Sequence, residues 1–156
     1  MLPGDRLVCA FVEKQTVGLQ FKQWPLHVTI VPWFRLDETS EVIAQGLERA
    51  LAAIPPFQLV ADGTAQFGPR GGRPVSLLRA SEPLIQVEEK VRIYFHKKHA
   101  WLVDETTKKR YDFRPHVTMQ GDAHLQDGDT FLCDRLYIVQ QKGDYKEITN
   151  EVYFGR

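Results

Sequence analysis

The chain has 156 residues, 43% hydrophobic and 26% charged, and its Lys plus Arg count equals its Asp plus Glu count, for a formal net charge of zero. That length suits one domain, residues 1–156, large enough to bury a core without a disulfide or metal staple. Neutrality argues against a protein that coats nucleic acid wholesale, while leaving room for a local basic groove, and no apolar run is long enough to span a membrane.

From the N-terminus, "RLVCAFV" (residues 6–12) reads as a buried strand, being short, apolar and partly β-branched. Asp5 and Arg6 flank it wrongly for a signal peptide, so the cytoplasm is the expected compartment. "HVTIVPWF" (27–34) reads as a second strand, with Pro25 just before it and Pro32 near its end, where proline is tolerated. In "LDETSEVIAQGLERALAAIPP", Ile43, Leu47, Ala50, Leu51 and Ile54 form one helical face. Asp37, Thr39 and Ser40 are candidate N-caps, and Pro55-Pro56 ends the helix.

"FQLVADGTAQFG" and "RPVSLLRA" read as two strands joined by the loop "GPRGGRP". A second helix follows in "EPLIQVEEKVRIYFHKKH", striped by Leu84, Val87, Val91 and Phe95. Trp101–Val103 and a polar turn, "DETTKKRYD", lead to a strand in "FRPHVTMQ". The tail reads as a hairpin turning near Lys142-Gly143-Asp144. Cys9 and Cys133 lie in apolar runs without metal or redox spacing and read as buried thiols.

One phrase is written twice, 89 positions apart: His27-Val28-Thr29-Ile30 and His116-Val117-Thr118-Met119. A single His-Val-Thr is ordinary strand sequence; two copies, each with a proline just upstream, suggest two related halves. Side chains alternate along a strand, so His and Thr share one face of each phrase while the apolar residues share the other. Set opposite each other, two such faces bring two imidazoles and two hydroxyls together. An imidazole titrates near neutrality, at ~6.5, so one ring can take a proton from a nucleophile while the other gives one to a leaving group. Each transfer is typically worth ~10²–10⁴ in rate. The hydroxyls can bind the non-bridging oxygens of an anion, which suits in-line attack at phosphorus without a metal.

The paired phrases, their spacing and the strand–helix order resemble the two-histidine (2H) phosphoesterases, nearest to the 2′-5′ RNA ligase and cyclic nucleotide phosphodiesterase branch. The strand–Phe-Gly–loop–strand segment between the phrases and the closing strands are similar too. The resemblance covers most of the chain, although only the two phrases are specific. It implies an α+β fold: a two-lobed, pseudo-twofold arrangement of antiparallel sheets, with helices packed outside and a central cleft. It implies His27 and His116 as acid and base, Thr29 and Thr118 as phosphate binders, and no metal or other cofactor. The analogy favours His27 as acid, but the sequence itself assigns neither role.

Other residues carry weaker signals. Arg70 and Arg73 sit on the Gly-rich loop and read either as a phosphate or RNA-end clamp or as a solvated turn. Phe67 can stack on a base or end a strand in the core. Arg114 falls on the His116 face if the strand is regular. Trp24 and Trp33 can wall the site, but core packing is the simpler reading. His96 and His99, three apart, can share a helix face as metal ligands, yet no further ligand completes a set, and a solvated helix end suits them better. His124 reads as surface, and Tyr145 precedes the last strand.

The expected activity is metal-independent hydrolysis of 2′,3′-cyclic phosphates on nucleotides or RNA ends, by a monomer. Formation or cleavage of 2′-5′ RNA linkages, and RNA-end binding without turnover, are the alternatives.

Overall fold

The computed structural model describes residues 2–102 and 113–155. The expected polar turn at 104–112 and Val103 lie outside the described residues. The first strand, β1 (Arg6–Phe11), is buried on both faces, as its unbroken apolar run requires. Next come β2 (Gln20–Phe21) and β3 (His27–Arg35), then helix α1 (Ser40–Ala50). Thr39 is the cap of α1, its hydroxyl accepting from the Val42 N–H. The hairpin β4 (Phe57–Phe67) and β5 (Arg73–Leu78) turns through the Gly-rich loop. Helix α2 (Glu82–Lys97) buries Leu84, Val87, Val91 and Phe95, the stripe read from its spacing. Among the described residues, five further strands complete the sheet: β6 (Trp101–Leu102), β7 (His116–Thr118), β8 (Thr130–Cys133), β9 (Arg135–Gln141) and β10 (Lys146–Tyr153).

The strands form one antiparallel path, β2-β10-β9-β1-β3-β7-β5-β4-β8, with β6 pairing on β3. The pseudo-twofold expectation is visible in that order. Outward from its centre, β3-β1-β9-β10 answers β7-β5-β4-β8. The two halves meet where β3 pairs with β7, at Val28 opposite Val117.

Both helices cover one face of the sheet. On that side Val8, Ala10, Val28, Ile30, Phe34 and Val117 pack with Ile43, Leu47, Leu84, Val87, Val91 and Phe95. The other face carries a smaller cluster, Leu7, Cys9, Phe11, Tyr137, Val139 and Ile148, with Phe21, Trp24 and Trp33 against it. Alternate residues of β1 and β9 thus serve both sides, which is the period-two rule at work. Just past the first phrase, β3 shifts register against β1 between Thr29 and Val31. The irregularity lets the consecutive residues Ile30 and Val31 both enter the helix-side core.

Candidate active site

Val28 and Val117 are fully buried toward the helices. Residues directly opposite in an antiparallel pair share a face, so their neighbours all project from the other side. Extending the Val28–Val117 register by one residue sets His27 opposite Thr118 and Thr29 opposite His116. Each imidazole therefore has the hydroxyl of the other phrase beside it. The two imidazoles stand diagonally, as positions roughly 7–8 Å apart whose Cβ atoms are somewhat closer. All four side chains are half-buried, held by the sheet yet open to a ligand.

Local backbone chemistry orients both rings alike. The residue before each histidine pairs outward: the Val12 N–H donates to the Leu26 carbonyl and the Leu78 N–H to the Pro115 carbonyl, each at 3.0 Å. The carbonyl one residue further back turns to the ring. His27 Nδ1 lies 2.9 Å from the Pro25 carbonyl and His116 Nδ1 lies 2.7 Å from the Arg114 carbonyl. A carbonyl only accepts, so Nδ1 holds the hydrogen in both rings. Nε2 is left as the atom that exchanges protons.

The rings also have aromatic neighbours. Trp24 stacks on His27 with centroids 4.1 Å apart. Phe67 meets His116 edge-on at 4.6 Å and carries the Arg114 guanidinium over its face, also at 4.6 Å. Burial lowers the pKa of both imidazoles below the ordinary 6.5. The carbonyl bonds oppose that shift, while the charge of His116 adds to it at His27, and those of Arg114 and Arg73 add to it at His116. The two rings therefore sense each other electrostatically across the seam.

The remaining candidates fall into place unevenly. Phe67 opposes Arg73 across β4 and β5, and Val75 opposes Thr118, so Phe67 and Arg73 share the face of the second phrase. Arg70 and Arg73 line a shallow depression with Phe67, Gly68, Pro69 and Gly72. Neither arginine has an ion-pair partner among the described residues. Phe67 is half-buried rather than a core residue, with His116 edge-on to it and the Arg114 guanidinium over its ring. Arg114 reaches the site through that ring; β7 begins only at His116, so strand alternation does not govern it.

Trp24 joins the site more directly than the sequence indicated. It lies in the connection before β3, where no periodicity reports which way a side chain points. Trp33 packs in the cluster behind it. His96 and His99 lie at the helix end, as the simpler reading has it, and the alternative of a shared helix face does not form. Helix α2 ends at Lys97 and His99 takes a φ of 57°, so the chain has left the helix before the second imidazole. Among the described residues, no group of three or more His, Cys, Asp or Glu is placed to hold a metal ion. His124 is exposed, and Cys9 and Cys133 are buried free thiols, with Cys133 pushed up to about 12 by burial first and then by Asp134. No described helix is long and apolar enough to cross a membrane.

The arrangement can accept a proton at one Nε2, donate one at the other, and bind an anion between them with two hydroxyls. Solved structures of similar shape span nearly the whole chain. The TT0787 protein of Thermus thermophilus aligns with a TM-score of 0.64 at 16% identity, covering 97% of this chain and 98% of that one. LigT of E. coli complexed with NADP+ aligns at 0.60 and 15% identity, covering 99% of both chains. LigT complexed with 3′-AMP aligns at 0.59 and 15%, covering 99% of this chain and 100% of that one. At such identities the likeness speaks for the fold alone. No curated protein matches the chain in sequence. A family profile, that of the 2′-5′ RNA ligase superfamily, matches residues 11–146. With that match over most of its length, and with both His-x-Thr phrases on one face of this fold, the chain belongs to the 2′-5′ RNA ligase superfamily of 2H phosphoesterases.

Proposed function

We propose that this protein is a metal-independent phosphodiesterase that hydrolyses 2′,3′-cyclic phosphates of nucleotides or RNA ends. The observation that carries the reading is the matched anchoring of His27 and His116, each tied at Nδ1 to a carbonyl and each on the same open face. One neutral Nε2 removes a proton from water as the water oxygen bonds to phosphorus. The bond from phosphorus to one ribose oxygen breaks, and that oxygen takes the proton held on the other Nε2. Thr29 and Thr118 donate to the non-bridging oxygens, where charge builds up in the transition state. Arg73 and Arg114 supply positive charge on the His116 side, with Arg70 and Phe67 at the rim toward the rest of the nucleotide. That a LigT structure holds 3′-AMP is consistent with a nucleotide ligand for this fold.

The test is turnover of a 2′,3′-cyclic nucleotide in excess chelator. His27→Ala and His116→Ala should each lower turnover at least ~10²-fold while leaving the far-UV spectrum intact. A near-normal rate in either variant contradicts the acid–base pair. Thr29→Val and Thr118→Val should each weaken binding of inorganic phosphate without unfolding the strand; unchanged affinity in both would leave the hydroxyls without their role. Tight binding of an RNA end without turnover would make the protein a binding module instead, and joining of 2′-5′ ends in place of hydrolysis would make it a ligase.

A further inference from the structure

The two imidazoles are fastened alike, yet their ring neighbours differ. The Trp24 indole lies nearly parallel to His27, with 27° between the planes and centroids 4.1 Å apart. Phe67 meets His116 at 74°, and Arg114 sits over the Phe67 face. The face of an indole attracts a cation more strongly than any other side-chain ring. A neutral imidazole gains far less from it. The contact therefore favours the imidazolium form of His27, in a ring already held at Nδ1 by the Pro25 carbonyl.

The surroundings of His27 contain little else that titrates. From β1 come Phe11, opposite it, and the buried Cys9 thiol, opposite Thr29. From β7 comes His116, the one charge that acts on it. From β9, Tyr137 packs against Phe11 rather than on the imidazole. From β10, Lys146 Nζ lies 5.7 Å from the Trp24 ring. No carboxylate among the described residues contributes to the titration of His27. Burial is the first cause that lowers both rings, and at His116 the Arg114 and Arg73 guanidiniums add to it. Resting on the acid–base reading above, we propose that Trp24 is a positioning residue that favours the protonated form of His27, the acid role that the family resemblance suggests for that ring.

The experiment is an NMR pH titration of both imidazoles in the wild type and in Trp24→Leu. The wild type should show His27 titrating above His116. Trp24→Leu should lower His27 by roughly half a unit to one unit, the loss of one cation–π contact. The sign is diagnostic, because a Trp24 that merely covers the ring would, when removed, admit water and raise the value. An unchanged or raised His27 overturns the proposal. If Trp24→Leu fails to fold, fluorinated tryptophans at position 24 weaken the ring's attraction for a cation at nearly constant shape. His27 should then fall with each added fluorine, and a flat series overturns the proposal equally. In the active protein, the alkaline limb of kcat/KM should move to lower pH in Trp24→Leu along with His27. Should no cyclic phosphate be turned over while His27 shifts as expected, the reaction proposed above fails and the Trp24–His27 coupling stands.

Discussion

At His27 and His116, the hydrogen bonds of 2.9 and 2.7 Å from Nδ1 to a backbone carbonyl commit one nitrogen of each ring to holding position. Only Nε2 remains for chemistry, and burial makes both rings hold that proton less well than a free imidazole. In the proposed reaction the productive form has one ring protonated and one neutral. With both values below the ordinary 6.5, that mixed form is scarce at and above neutrality and grows as pH falls. kcat/KM for a cyclic nucleotide should therefore rise as pH is lowered from about 8 to about 6, with apparent values that belong to the pair rather than to either residue. An optimum on the alkaline side of neutral would contradict this. The bound cyclic phosphate, a diester with one negative charge, favours protonation, so the profile of kcat should lie at higher pH than that of kcat/KM. The two histidines and two threonines were legible because a repeated phrase is visible without a structure. The rings that orient them were less so: Trp24 precedes its strand, and Phe67 is 49 positions from His116 in a different hairpin.

Among the elements, α2 buries the stripe that its spacing predicted, whereas α1 is shorter than expected: it ends at Ala50 with Leu51 as its cap, so Leu51 and Ile54 are buried beyond the helix and Pro55-Pro56 are not what stops it. Where the helices meet, Gly46 of α1 faces Tyr94 of α2. A Cβ on Gly46 would stand 2.5 Å from the Tyr94 ring carbon Cε2 and from its hydroxyl oxygen. Tyr94 has little freedom to retreat, since Phe95 packs edge-on against it at 5.2 Å and Lys98 lies over it. Gly46→Ala adds helix propensity worth ~1 kcal/mol. Overpacking costs ~1–3 kcal/mol, and here it should dominate. Urea denaturation should show a lower midpoint for Gly46→Ala, and a higher one would mean that Tyr94 swings away freely. Helical periodicity flags none of this, because it reports which face is buried and not what that face meets. Strand β7, three residues long, and β2, two residues long, are equally beyond local pattern. Their pairing is decided by partners far away in sequence, and the approach of β3 to β7 is the long-range event that creates the site.

Over the whole molecule, a formal charge of zero conceals an uneven distribution. Several cations away from the site are neutralised, as in Lys14–Asp134, Arg79–Asp62, Arg92–Glu88 and Lys98–Glu38. Arg70, Arg73, Arg114 and Lys146 have no ion-pair partner among the described residues, and all four lie around the two phrases or their aromatic neighbours. Their field reaches beyond contact, and added salt shortens it from ~10 Å at 0.1 M to ~3 Å at 1 M. kcat/KM for an anionic RNA end should fall as salt is added, most steeply for the longer substrates, whereas a salt-independent rate would show that these cations do not guide the ligand. Composition predicted only the sum of the charges; which cations stand beside the two phrases follows from the strand order.

The join between the halves is one residue pair wide, Val28 against Val117. A long ladder would dictate a rigid separation across it, but a weld this narrow works like the spine of an open book. The pitch of the two pages decides how thick an object the crease admits. Behind that crease both valines pack into the helix-side core, so a change of side-chain volume there should alter the bulk of ligand that fits, read as a change in KM between slim and bulky substrates.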